Sequence, residues 1–103
     1  MDELKRLFDE IDALLVDPAS GDLAKIERTL TDGYAQALSL EGERWRLEKR
    51  LGEVAATLES GDASAKTKEL SSLAKRLEVS DGALSRLRAL LVDLRRVADA
   101  ARA

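Results

Sequence analysis

Between Leu23 and Leu58 the positions 23, 26, 30, 33, 37, 40, 44, 47, 51, 54 and 58 step alternately by three and four, and all are apolar except Gly33 and Arg44. A 3.5-residue apolar repeat kept up over about five heptads predicts a long helix packed lengthwise on a similar one. The partner is present in the same chain. Leu70, Leu73, Leu77, Ser80, Leu84, Leu87, Leu91, Leu94, Ala98 and Ala101 hold the same spacing, with Ser80 the one strongly polar member. Ahead of both, Leu4, Leu7, Phe8, Ile11, Leu14 and Leu15 form the broad stripe of a short first helix. It stops at Asp17-Pro18, because proline disfavours a helical residue before it.

Turn chemistry separates the three segments. Pro18-Ala19-Ser20-Gly21-Asp22 is a turn in which Asp22 or Ser20 caps the next helix. Ser60-Gly61-Asp62-Ala63-Ser64 is a second, with Gly61 suited to a left-handed helix end and Asp62 or Ser64 to the following cap. The tripeptide Ser-Gly-Asp occurs in both and reflects shared capping chemistry rather than an internal repeat. The expectation is one all-α domain over 1–103, with helices over about 2–16, 23–59 and 64–101. Interior glycines are the threat to the long helices, each costing about 1 kcal/mol relative to alanine. Thr31-Asp32-Gly33, Gly42, Gly52 and Val79-Ser80-Asp81-Gly82 are the places concerned. The apolar phase passes through all of them unbroken, which predicts continuous helices; a kink near Gly33 is the alternative.

Two antiparallel helices joined near Asp62 face residues whose numbers sum to about 124. Val54 then meets Leu70, Leu51 meets Leu73, Leu47 meets Leu77, Leu40 meets Leu84, Ala37 meets Leu87 and Leu30 meets Leu94. The same register sets Gly33 against Leu91, small against large, and Arg44 against Ser80, the two polar seam positions. Arg44 and Ser80 are read as a register-setting polar layer, with the arginine reaching water or one of Glu41, Glu43 and Glu48.

The stripe widens away from the turn, where helix three adds Ala83, Leu90 and Val97 on one flank. The first helix must double back along that open end, where its broad stripe can cover either this flank or the one that carries Tyr34 and Leu38, giving a three-helix head built from 4–16, 23–38 and 84–101 on a two-helix stalk. Helix two has extra apolar residues of its own on the other flank, Tyr34, Leu38 and Trp45, with Gly42 among them. One helix cannot cover both flanks. The one left open is an apolar surface of the kind that binds partners, and Tyr34, Leu38 and Trp45 are the candidate interaction residues.

Composition narrows the chemistry. The net charge of −3 comes from 20 acidic and 17 basic residues that are interspersed, with no single-sign field to attract nucleic acid or an anionic membrane. The basic groups Arg44-Arg46-Lys49-Arg50 and Arg86-Arg88-Arg95-Arg96 are interleaved with Glu41, Glu43, Glu48 and Asp93, so ion pairing is the simpler account of them. There is no cysteine and no histidine, which removes thiolate and imidazole ligands and the commonest general base. Asp9 with Asp12 and Glu41 with Glu48 share helix faces, but such spacing describes a solvated surface. No enzyme motif, cofactor site or metal site is expected. No apolar run reaches the roughly 18 residues of a membrane span, and Met1-Asp2-Glu3 is acidic where a signal peptide is basic, so a cytoplasmic location is expected. Trp45 is followed by Arg46 and Leu47 in mid-helix, so the motif of the small secreted WXG hairpin proteins is missing.

The function expected is therefore that of a non-enzymatic helical interaction or scaffold protein, a homodimer or a small subunit of a larger assembly. The alternative is a cytoplasmic chaperone or regulator that binds one amphipathic segment of a client protein. The expected partner is protein, self or a heterologous helix, with no nucleic acid and no membrane.

Overall fold

The computed structural model describes residues 2–59 and 61–103, without the side chain of Asp2. Met1 and Ser60, the latter part of the expected second turn, lie outside the described residues. The chain forms helix α1 (Asp2–Val16), a 3-10 turn (Pro18–Ser20), helix α2 (Leu23–Ala56) and helix α3 (Ala63–Arg102), with no strand among the described residues. The short α1 packs on α2 and α3, which run antiparallel as a long hairpin. Both long helices are continuous through their glycines: α2 passes Gly33, Gly42 and Gly52, and α3 passes Gly82.

The two turns end and start helices with an aspartate each. Asp22 Oδ1 accepts from the Lys25 amide at 2.8 Å, and Asp62 Oδ1 accepts from the amides of Ser64 at 3.0 Å and Ala65 at 3.2 Å. These bonds satisfy amides that the first helical turn leaves without acceptors. Of the capping alternatives left open by the sequence, the aspartates are used. Ser20 instead donates its hydroxyl back to the Asp17 carbonyl at 2.7 Å, closing the 3-10 turn. Gly61 takes φ +78°, the left-handed conformation for which it was expected. The expected end of α2 at about residue 59 is corrected to Ala56. There the amides of Thr57 and Leu58 bond three residues back, to Val54 at 3.2 Å and Ala55 at 3.3 Å, tightening the chain towards the turn. The Lys66 ammonium donates to the Thr57 carbonyl, so a cation from α3 satisfies the end of α2.

The chain divides into two compact units, Met1–Leu38 with Ser85–Ala103, and Ser39–Leu84. In the first, the core is Leu4, Leu7, Phe8, Ile11 and Leu14 of α1, Ile26, Leu30 and Ala37 of α2, and Leu87, Leu91, Leu94 and Ala98 of α3. Ile11, Leu14, Ile26, Leu87 and Leu94 are almost wholly removed from water. The predicted pairing of Gly33 with Leu91 is present: a Cβ on Gly33 would lie 2.3 Å from Leu91 Cδ2. Ala101, the last predicted seam position, is exposed, because the seam closes at Ala98.

The second unit is a pair of antiparallel helices. Leu47, Val54 and Leu73 are buried together, with Leu51, Leu70 and Leu77 packed on them half-buried, and Leu40 and Leu84 are buried as well. A two-helix seam without a third layer leaves its edges wet, which is why the leucines on its margin keep part of their exposure. The bidentate contact of Arg50 with Glu69, 3.1 Å to both carboxylate oxygens, ties the two helices on one side. Its partners are about half exposed, so it contributes at most about 1 kcal/mol.

Candidate interaction surface

Side-chain spacing separates the two flanks of the first unit, and the contacts of α1 show which one it covers. Leu90 and Val97 each precede a seam residue by one, as do Thr29 and Gln36 on α2; Tyr34 and Leu38 each follow one. The preceding positions lie on one side of the helix pair and the following positions on the other. α1 takes the first side. Its Asp12 carboxylate meets the Arg86 guanidinium at 3.5 Å, and the same guanidinium lies 4.2 Å from the centre of the Phe8 ring. Leu90 and Val97 are thereby half-buried, and Thr29 is buried with only 3% exposure. The hydroxyl of Thr29 donates to the Lys25 carbonyl at 3.0 Å, so its polar group is satisfied under α1.

Among the described residues no helix covers the other side of the first unit. Tyr34 is 46% exposed, Leu38 70% and, on α3, Val92 53%. Tyr34 belongs to an open groove with Glu27, Leu30, Thr31, Arg95 and Arg102. The Tyr34 hydroxyl holds the Arg95 guanidinium above its ordinary pKa, chiefly by hydrogen bonding, with Asp99 adding a smaller charge effect. Arg102 lies 3.0 Å from Glu27 and 2.9 Å from Asp99, so acids match the cations of this groove. The two grooves beside α1 are polar as well; one is lined by Glu10, Lys25, Glu27, Arg28, Thr31 and Asp32 among others, and the other by Glu3, Arg6, Leu7, Glu10, Asp32, Ala35 and Gln36.

Trp45 belongs to the second unit and is 61% exposed. One face of its ring is taken by the Lys49 ammonium, 5.3 Å from the ring centre, while the neighbouring Gly42 leaves room beside it, since a Cβ there would meet only Arg46 at 3.5 Å. Val79, on α3 of the same unit, is 60% exposed.

The polar seam positions are arranged differently from a direct Arg44–Ser80 contact. Arg44 Nε lies 3.1 Å from Glu48 and 2.9 Å from Asp81. Its N–H points at the Glu48 oxygen, so the approach to Asp81 is an ion pair rather than a hydrogen bond. The Arg44 side chain remains 44% exposed, having carried its charge out of the seam to water. Ser80 stays in the seam with 5% exposure, and its hydroxyl has no hydrogen-bond partner among the described residues. Asp81 is the residue that the seam pattern does not single out: it lies one step outside the seam, next to Ser80, and the structure sets it against Arg44.

The remaining arginines bear out the ion-pair reading at several places. Arg50 contacts Glu53 and Glu69, Arg86 contacts Asp12, and Arg96 contacts Asp93. Among the described residues no group of three or more metal-binding side chains is close enough to hold an ion, and no helix is long and apolar enough to cross a membrane. Comparison with protein-family models, with curated proteins and with solved structures finds no match to this chain.

Proposed function

We propose that the protein is a non-enzymatic cytoplasmic interaction protein that works by helix-on-helix packing, as a homodimer or as a small subunit of a larger assembly. The observation that carries this reading is the exposure of large apolar side chains on α2, 70% for Leu38 and 61% for Trp45. A leucine taken fully from water contributes roughly 1.5–3 kcal/mol, and tryptophan is among the side chains that most often anchor an interface. Tyr34, 46% exposed on the same helix, adds an aromatic ring of the kind that anchors interfaces. A partner helix laid along α2 buries these side chains in the manner of other amphipathic helix contacts.

Light scattering over a concentration series tests it. The wild-type mass should rise to twice that of one chain. Leu38→Glu and Trp45→Glu, made separately, should each return it towards the monomer with the helical circular dichroism signal unchanged. A wild-type protein that is monomeric at the highest concentration refutes the homodimer. A pull-down from the native host then separates a subunit of a stable assembly from a chaperone or regulator of one client, the first keeping its partner in stoichiometric amounts and the second releasing it.

A further inference from the structure

We infer that α3 has a second, minor conformation in which it breaks at Ser80 and restarts there as a new helix, with Ser80 as its cap. In the continuous helix three neighbours are poorly used. Among the described residues the Ser80 hydroxyl is buried without a partner, Val79 is 60% exposed, and a Cβ on Gly82 would meet nothing within 4 Å, so packing does not demand a glycine.

The same residues fit the start of a helix position by position. A serine at the cap accepts from the second or third helical amide, here Gly82 or Ala83. Asp81 becomes the first helical residue, where its charge faces the positive end of the helix dipole. Val79 just before the cap and Leu84 at the fourth helical position form the apolar pair that fixes the entry of the chain. On the other side of the break Lys75 and Arg76 fall in the last turn of the preceding helix, where cations are favoured. Local preference and tertiary packing therefore disagree at one point. The continuous form is kept by Leu84, which is buried in the seam, by Leu77 beside the buried leucines, and by the 2.9 Å contact of Asp81 with Arg44. Those contacts make the broken form the minor one.

In the broken form the amides of Asp81, Gly82 and Ala83 lose their acceptors, the carbonyls of Leu77, Glu78 and Val79; the Ser80 hydroxyl replaces the one lost at Ala83, which leaves Asp81 and Gly82 open. Hydrogen exchange of the intact chain, followed by NMR and corrected for intrinsic rates, reads this directly. Asp81 and Gly82 should exchange at least about tenfold faster than the amides of Leu73 and Leu87, which sit in unbroken turns of the same helix. Ser80→Ala removes the cap and the buried hydroxyl together, and should bring both amides to the flanking rate. Val79→Ala, which trims an exposed side chain, should slow them in the same direction. Uniform protection across residues 73–87 in the wild type overturns the inference. So does fast exchange at Asp81 and Gly82 that neither substitution slows, since that is opening without a capped state.

Discussion

Replacing Gly33 by alanine tests the register of the hairpin through a single methyl group. Two effects oppose each other. Alanine in a helix interior is favoured over glycine by about 1 kcal/mol. Against this, the new Cβ would lie 2.3 Å from Leu91 Cδ2, 3.3 Å from its Cγ and 3.5 Å from its Cδ1. Leu91 is 3% exposed and its side chain must shift to admit the methyl, so the overpacking term applies, about 1–3 kcal/mol. The net effect of Gly33→Ala is thus a loss of up to about 2 kcal/mol. Gly52 supplies the control, because a Cβ there meets nothing within 4 Å, and Gly52→Ala should stabilise by about 0.5–1 kcal/mol. The decisive experiment is a double-mutant cycle with Leu91→Ala, read by urea unfolding and helical circular dichroism. Leu91→Ala alone should cost about 2–5 kcal/mol, and in that background Gly33→Ala should become stabilising, giving a coupling of about 1–3 kcal/mol. A coupling below about 0.5 kcal/mol, or equal effects at Gly33 and Gly52, would refute the pairing of these helices.

Other substitutions probe other parts of the fold. Asp22→Ala and Asp62→Ala each remove one helix cap and should lower stability by about 1 kcal/mol in urea unfolding, whereas Ser20→Ala, whose hydroxyl only closes the 3-10 turn, should have a smaller effect. Ser80→Ala should raise stability by about 1 kcal/mol or more, because it deletes a buried hydroxyl that has no partner among the described residues and adds a better helix former; a loss would mean that the hydroxyl is satisfied in solution. Phe8→Ala should cost about 3–5 kcal/mol, and Arg86→Ala much less, since the guanidinium sits over the Phe8 ring from a mainly exposed position. A comparable loss for both would show that the ring contact, rather than core burial, fastens α1.

Much of the architecture was legible in the sequence because the seam repeats so strictly. Phase alone carried α2 through Gly33 and α3 through Gly82, against the local stop signals at both places. The antiparallel register followed from the position of one turn, and the fit of Leu91 against Gly33 is its check. What was not legible depended on comparing near-equal alternatives. Both flanks of the first unit carry apolar residues, and periodicity does not say which one α1 prefers; the choice is tied to Asp12 and Phe8 meeting Arg86 across a sequence separation that no local pattern encodes. The early end of α2 is set by the amides of Thr57 and Leu58 bonding three residues back, a local change that the apolar phase, unbroken to Leu58, does not encode. In the candidate surface, Tyr34, Leu38 and Trp45 stood out as apolar residues off the seam. The pairing of Arg44 with Asp81 did not, because a residue one step outside the seam is usually treated as solvated.

Trp45 is the only tryptophan in the chain, so its fluorescence reports on one side chain of the proposed contact. At low concentration its emission should be that of a solvated indole, in keeping with its 61% exposure. As the concentration rises through the range in which light scattering reports a doubled mass, the emission maximum should move to shorter wavelength, and Leu38→Glu should abolish both changes. An emission maximum that keeps its dilute value while the mass doubles, or a mass that never rises above one chain, contradicts association through this face of α2.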